Sequence, residues 1–416
     1  MLKTIDYRIR QIIDNELSRQ ENSINLISSE NYTSSAVRAI ESSILMSKYA
    51  EGTPKKRFYA GCEIVDEIES YAVAQAKSTF IPSEYQSEYH VNVQPLSGSI
   101  ANIIALNAVL TPGDTIVSMD LYSGGHLSHG FNKHISGSIY TVVHYSVNPK
   151  SMLIELAQIE SLVQKHRPKL LIVGASAYSR KIDFEPIAEI TRKHGVILLA
   201  DIAHIAGLVA TELHPNPIPH ADIVTLTTHK TLRGPRGAII ICRQELAARI
   251  DRSVMPGVQG GPFMHSVAAK AQAFKEAQTT DFLQYQQEVL KCAKKLAAEL
   301  GNNGYSIVSG GTDTHHFVVN MMHSKLLISG AEAEQRLAQN NIIANRNTIP
   351  FERERPRVTS GLRIGVSAMV SRGCKLKDMK MMASLIMQAL ENPFNETLPQ
   401  EVISFAQQFT ERLGDI

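Results

Sequence analysis

No tryptophan occurs in this sequence, cysteine is scarce at four residues, and aromatic side chains fill only 6% of the 416 positions. The cysteines, Cys62, Cys242, Cys292 and Cys374, stand far apart without CxxC spacing, so they form neither a disulfide framework nor a zinc site, and a reducing cytoplasm fits. Charge of one sign is lacking too. With 42 Lys and Arg against 40 Asp and Glu, the formal net charge of +2 gives no excess field for nucleic acid or an anionic membrane. No apolar run is long enough to span a bilayer. The longest, VILLADIAHIAGLVA from residue 196, holds Asp201 and His204 inside it, and both need a polar purpose. The opening stretch MLKTIDYRIRQIIDNEL carries charge throughout and lacks the continuous apolar segment of an export signal.

What is present points to an α/β protein. Hydrophobic residues make up 44% of the chain, enough for a large domain with a smaller companion. Residues 2–17 and 33–45 have helical apolar spacing around a polar turn, SSENYTS, which suggests an arm before the main domain. The middle then alternates. Strand-like runs YHVNVQP, DTIVSMD, KLLIVGAS, VILLAD, ADIVTLT and GAIIIC are mostly separated by helix-period segments such as GSIANIIALNAVL and FEPIAEITRKHG. Continuous apolar strands between helices mark a mostly parallel sheet covered on both faces. The last pair of strands has room for an antiparallel member. From about residue 265 long helical patterns take over, followed by YSIVSGG, HHFVVNMM and two terminal helices, which read as a small α+β domain. The expected division is an arm over 1–45, a large domain over 46–275 and a small one over 276–416.

One lysine stands out. In IVTLTTHKTLRGPRGAIII, residues 223–241, Lys230 lies between two apolar runs. A P-loop also presents Lys-Thr, but the GxxxxG that must precede it is missing. A solvated surface lysine is the commonest fate of the residue type, yet this one follows an apolar strand and three hydrogen-bonding side chains. An amine held at a strand end in a dry pocket can lower its pKa and condense with an aldehyde, of which pyridoxal 5'-phosphate is the commonest that proteins bind. That cofactor needs a carboxylate to keep its ring nitrogen protonated, and Asp201 ends the run VILLAD, where a parallel sheet exposes its ligand site. It also needs a helix N-terminus with small residues for its phosphate, and QPLSGSIANIIAL supplies Ser97, Gly98 and Ser99 between a strand and an apolar helix.

With these parts in place the chain resembles the serine hydroxymethyltransferase (glycine hydroxymethyltransferase) family of fold-type I pyridoxal-phosphate enzymes. The resemblance runs from LISSENYTS at 26 through YAEG at 49, GGHLSHG at 124, DIAHIAGLVA at 201, TTHKTLRGPRG at 227 and QGGP at 259 to SGGTDTHHF and VTSGLRIG. It implies a large domain with a seven-stranded, mostly parallel sheet between helices, a smaller C-terminal α+β domain and an N-terminal helical arm. It implies transfer of the hydroxymethyl carbon of L-serine to tetrahydrofolate, giving glycine and 5,10-methylenetetrahydrofolate through an aldimine and a quinonoid. By the same resemblance Lys230 holds the cofactor, Asp201 pairs with its ring nitrogen and His126 stacks on its ring. Ser176 and His204 lie near its hydroxyl, His229 braces the phosphate side, and Ser97, Gly98 and Ser99 take the phosphate, with Gly261 reaching in from a second subunit. Arg363 and Ser29 hold the substrate carboxylate, Glu51 shuttles a proton, and Tyr49 and Tyr59 line the substrate end across the interface. Leu121, Gly125, Leu127 and Asn347 receive the folate. The resemblance further implies a cytoplasmic homodimer with shared sites, possible pairing into tetramers, and no metal, membrane or nucleic-acid partner.

Several positions depart from the family pattern. Phe58 replaces a tyrosine, Ala60 stands at a glycine-like position, Met255 replaces an aromatic, Val258 a glycine and His316 an apolar residue. Loss of one phenol removes about 1 kcal/mol of hydrogen bonding, too little alone to abolish folate binding. Thr53, Phe58 and Met255 nevertheless keep open a folate-independent aldolase or transaldolase acting on β-hydroxy amino acids such as threonine or allo-threonine. A silent binding or scaffold protein is a third reading, against which Lys230, Asp201, His126 and Arg363 all argue. His126 and His129 have a metal-like i,i+3 spacing but no third ligand nearby. PKKR at 54–57 is either a site for a polyanionic folate tail or a solvated loop, and MKMMASLIMQAL reads as helix core.

Overall fold

The apolar runs become a seven-stranded sheet in a computed structural model that describes residues 5–355 and 357–413. Its strands are β1 (Tyr89–Asn92), β2 (Thr115–Met119), β3 (Thr141–Tyr145), β4 (Leu170–Val173), β5 (Ile197–Asp201), β6 (Ile223–Thr227) and β7 (Ala238–Arg243), in the spatial order β1-β7-β6-β5-β4-β2-β3. Every pairing from β6 across to β3 is parallel, and β7 runs antiparallel to both of its neighbours. Two reversals restore direction, so β1 points the same way as the parallel set. The C-terminal ends of β1, β2, β4, β5 and β6 therefore open on one edge, where a sheet of this kind binds ligands.

β3 is absent from the expected strand runs because of where it sits. It is the edge strand, Thr141 and His144 are exposed, and no continuous apolar run marks it. β4 and β6, by contrast, are buried at every residue.

Four helices of this part of the chain matter for the site: α1 (Ser35–Glu41), α2 (Glu63–Phe80), α3 (Gly98–Val109) and α4 (Met264–Ala277). α3 sends Ala101, Ile104, Ala105 and Ala108 into the same apolar cluster as Ile172, Leu199, Ile223 and Ile240 of the strands. α4 packs on α2 through the Phe80 and Phe274 rings, edge to face at 6.0 Å, and on α1 through Val37, Ala269 and Ala273.

The chain divides into two compact units: residues 33–287, and the described residues up to Tyr32 together with those from Glu288 on. This differs from the expected limits at 45 and 275 at both ends. Arg372, fully buried, donates to the carbonyls of Gln20 and Ser23 (2.9 Å each) and Glu21 (3.1 Å), and Ile24–Asn25 pairs in parallel with Ile342–Ile343. Those bonds fasten the start of the arm to the C-terminal unit. α1, the rest of the arm, is anchored elsewhere: Ser34 Oγ donates to Glu276 Oε1 at 2.6 Å. The second limit falls inside a single helix, α5 (Thr280–Asn302), which no break in sequence periodicity could mark.

The C-terminal unit carries the expected α+β pattern, an antiparallel sheet of β8 (Ser306–Ile307), β9 (His316–Asn320), β10 (Asn345–Asn347) and β11 (Gly361–Gly365) in the order β8-β9-β11-β10. In its helix α6 (Met379–Glu391) Met379, Met382, Leu385 and Ile386 are buried, so the methionine-rich run is core. All four cysteines are buried free thiols. Among the described residues no helix is long and apolar enough to cross a membrane.

Candidate active site

Lys230 is presented by a loop that its own residues close. Past the end of β6, Thr228 donates its amide to Gly237 O (3.1 Å) and its hydroxyl to Pro235 O (2.6 Å), while its carbonyl accepts from Gly234 N (2.7 Å). On the other side of the lysine, Thr231 donates its hydroxyl to His204 O (2.9 Å), and its carbonyl accepts from Gln286 Nε2 (2.7 Å). The half-buried Lys230 thus stands between two pinned threonines. Beside it, burial and the positive charges of Lys230 and Arg236 push the His229 imidazole down to about 3. Its Nδ1 is buried and has no hydrogen-bond partner among the described residues.

The neighbouring strand supplies the carboxylate. β5 and β6 are in parallel register with Asp201 opposite Thr225, so Asp201 closes its strand beside the one that leads to Lys230. Asp201 Oδ2 accepts from Asn102 Nδ2 and contacts His129 Nε2, both at 2.8 Å, and Oδ1 accepts from Ala203 N at 2.9 Å. Burial acts to raise this carboxyl, but the bond and charge of His129 and the bond from Asn102 outweigh it and hold it well below the usual carboxylate range. Asp201 is an anion at any physiological pH. Asn102 is itself fixed, donating to Ser128 Oγ (2.8 Å) and accepting from Thr225 Oγ1 (2.7 Å).

The loop after β2 brings His126 to the same group. Its Nδ1 accepts from Ser128 N (3.2 Å), and its ring meets that of His129 edge-on at 5.6 Å. Burial and the proximity of His129 push His126 down to about 4, which leaves a neutral, flat imidazole. Gly125, in the same loop, admits no side chain: a Cβ there would lie 2.4 Å from Met119 O. Leu127 is exposed and Leu121 half-buried on the two flanks of that loop. From the end of β4, Ser176 docks against it, donating its amide to Gly124 O at 2.7 Å.

At the end of β1, Ser97 caps α3 by accepting from Ile100 N (3.4 Å), and Gly98 and Ser99 form the first turn, whose amides point out of the helix. A Cβ on Gly98 would lie 2.7 Å from Thr227 Cγ2, so only glycine lets this helix start so near the end of β6.

Tyr49, Glu51, Tyr59 and Gly261 make a second group, near the unit's surface. Tyr59 Oη donates to Glu51 Oε2 at 3.3 Å, the two tyrosine rings meet edge to face at 5.4 Å, and a Cβ on Gly261 would lie 3.0 Å from the Tyr49 ring. Between Glu51 and Tyr59 the chain forms a short hairpin, in which Gly52–Thr53 pairs antiparallel with Lys56–Arg57. It is held by Arg57, whose buried guanidinium donates to Ala50 O (2.9 Å) and Gly52 O (2.7 Å) on either side of Glu51 and pairs with Asp66 (2.8 Å) and Glu69 (2.6 Å). Arg57 is therefore spent inside the fold, and of PKKR only Lys55 and Lys56 face solvent.

Ser29, Asn347 and Arg363 belong to the C-terminal unit. Arg363 sits on β11 opposite Asn345 and donates through Nε to Asn345 Oδ1 at 3.2 Å. Asn347 pairs with Gly361 at the same sheet edge. Ser29 follows a segment packed on β11, where Gly365 N donates to Leu26 O at 2.8 Å.

Three side chains in the Asp201 network, Asn102, Ser128 and Thr225, had no place in the reading of the sequence, and His129 entered it only as a metal ligand. One signal was available: Asn102 is a polar residue inside the otherwise apolar GSIANIIAL. The 2.8 Å contact with Asp201 gives His129, the second histidine of that i,i+3 pair, a structural task.

The model of one protein family, serine hydroxymethyltransferase, matches residues 2–386. The chain belongs to the serine hydroxymethyltransferase family. It is similar to a serine hydroxymethyltransferase of Desulforapulum autotrophicum, 46% identical over 409 residues that cover 98% of this chain and 96% of the relative. The chain is accordingly a fold-type I, pyridoxal-phosphate-dependent enzyme that transfers the one-carbon unit of serine to tetrahydrofolate. The folate-independent aldolase reading is not favoured. The residues present fit the cofactor: a lysine on an anchored loop, a carboxylate held ionised on the adjacent strand, an unsatisfied His229 Nδ1 and the outward amides of a helix start.

Proposed function

We propose that Lys230 bears pyridoxal phosphate covalently, that Asp201 holds the proton on its ring nitrogen, and that residues 97–99 with His229 take its phosphate. The observation that carries this reading is the Asp201 carboxylate, kept charged in a buried place by His129 and Asn102. A carboxylate kept ionised at the end of its strand, beside the strand that leads to Lys230, suits a protonated ring nitrogen. His126, a neutral and flat imidazole, would lie over the cofactor ring and keep water from it, and Ser176 and His204 would hold its hydroxyl. The cofactor, when bound, supplies an electron sink for the carbanion left when the Cα–Cβ bond of serine breaks.

The remaining steps belong to the chain. Arg363 grips the substrate carboxylate as a two-pronged donor, with Ser29 helping, and so fixes which Cα bond aligns for cleavage. Glu51 takes or gives the proton at the substrate hydroxyl, and Tyr49 and Tyr59 orient it. Leu121, Gly125, Leu127 and Asn347 seat the folate. The protein works in the cytoplasm as a homodimer, in which Tyr49, Glu51, Tyr59 and Gly261 complete the partner's site. The exposure of Tyr49, Phe58, Tyr59 and Ile64 supports this, since such a cluster of large apolar residues is a surface to be covered.

Mixing two inactive variants tests both the roles and the sharing. K230A and E51Q should each fail to convert serine with tetrahydrofolate. Dissociated and reassociated together, they should regain about a quarter of wild-type turnover, because half of the dimers are mixed and each mixed dimer holds one intact site. No recovery would sink the shared site.

A further inference from the structure

Lys270 is a buried charge, close to the Ser97 turn, to which the reaction gives no task. It lies on α4, 2% exposed, in an alanine-rich turn where a leucine or methionine would fit the pattern of burial around it. Its ammonium spends all three protons on backbone: Val93 O at 2.7 Å, Pro95 O at 3.0 Å and Ala238 O at 3.0 Å. Burial pushes the ammonium down to about 7, against the pull of Glu41 and Glu69. Placing an amine there is expensive, and an apolar side chain would stabilise the helix packing at less cost. What the amine adds is a junction of two strands that no apolar residue could make.

The place of that junction is informative. Val93 and Pro95 belong to the stretch that leaves β1 and enters the helix start at Ser97. In an extended chain the carbonyls of residues 93 and 95 face one side. Lys270 holds that side. The other side is held by Gln259, whose Nε2 donates to Gln94 O (3.2 Å) and whose Oε1 accepts from Leu96 N (3.0 Å). Ala238 opens β7, and its amide donates to Pro95 O at 3.1 Å, so both lone pairs of that carbonyl are used. Gly237, one residue earlier, makes room for the lysine: a Cβ there would lie 2.5 Å from Lys270 Cε.

We propose that Lys270 is a positioning residue for cofactor binding: it fastens the lead-in of the Ser97, Gly98 and Ser99 turn to β7 and so sets where that turn's amides point. This rests on the reading of that turn as the phosphate cradle. The lysine touches no cofactor atom. It acts on the register of the helix start, which already approaches Thr227 so closely that a methyl group would not fit.

The test compares pyridoxal phosphate with pyridoxal, which lacks the phosphate, on cofactor-stripped wild type and K270M. Affinities come from fluorescence titration, and thermal unfolding of the stripped proteins is recorded alongside. The proposal expects K270M to bind pyridoxal phosphate about 10-fold or more weakly, the loss expected when one hydrogen bond to a charged group is broken. Pyridoxal binding should stay nearly unchanged, so the preference for the phosphorylated form shrinks. Equal weakening of both, or a lower unfolding temperature with both affinities intact, would reduce Lys270 to a structural lysine and overturn the proposal. A wild type with no preference between the two ligands would overturn the cradle reading itself, and the proposal with it. Should K270M fail to fold, K270Q, which keeps donors for two of the three carbonyls, is read in the same way.

Discussion

Two groups of side chains within residues 33–287 are built on opposite plans. At the sheet edge, Asp201, His129 and Asn102 are buried, and each hydrogen-bonds to at least one other member. In the hairpin group, Tyr49 and Tyr59 are 56% and 46% exposed, and one 3.3 Å hydrogen bond links Tyr59 to Glu51. Yet the hairpin backbone is tied down by the buried Arg57, which donates to carbonyls on both sides of Glu51. A rigid backbone with outward side chains suits residues that act on another molecule. The polar groups of the edge are paired within their own chain, whereas the hairpin side chains face outward.

Changing the edge should therefore cost more than changing the hairpin. D201N keeps size and loses charge, and its turnover should fall by roughly 10²- to 10³-fold, as when a preorganised electrostatic contact to the reacting system is removed. Absorbance spectra of the loaded variant would report the altered ring protonation. Unchanged turnover would mean that the Asp201 charge has no part in the reaction. Y59F removes one exposed hydrogen bond, worth about 1 kcal/mol, and should lower kcat less than 10-fold while leaving cofactor affinity alone. If it released the cofactor, the separation of the two groups would be false.

The last effect concerns acid, and it falls on stability rather than on turnover. His126 and His229 are held down to about 4 and about 3 in the fold, while both titrate near 6.5 when unfolded. Between those values the unfolded chain binds more protons, so stability must fall as pH drops from 7 towards 4. H126N removes one such group and should flatten the fall by about 2 kcal/mol between pH 7 and 5, measured by denaturant unfolding of the stripped protein. A steeper fall would show that His126 gains its proton in the folded state.

The sheet edge was legible in part. Lys230, Asp201 and Ser97 each follow or end a recognisable run, and the edge of a parallel sheet gathers such positions. The side chains that set the charge of Asp201 were not. His129 and Asn102 lie 72 and 99 residues from it in sequence, and only tertiary packing brings them within 2.8 Å. Lys270 was hidden in the same way, since it joins residues 177, 175 and 32 positions away. β3 escaped because an edge strand needs no apolar run, and the unit limits escaped because Arg372 ties distant backbone and α5 crosses a limit without a break.

The central claim is that one amine of this chain bonds to the cofactor. Protein loaded with pyridoxal phosphate, reduced with borohydride, digested and sequenced by mass spectrometry tests it. The account predicts a phosphopyridoxyl group on Lys230 and on no other lysine. A Lys230 peptide that stays unmodified, or a label on Lys270 instead, would contradict it.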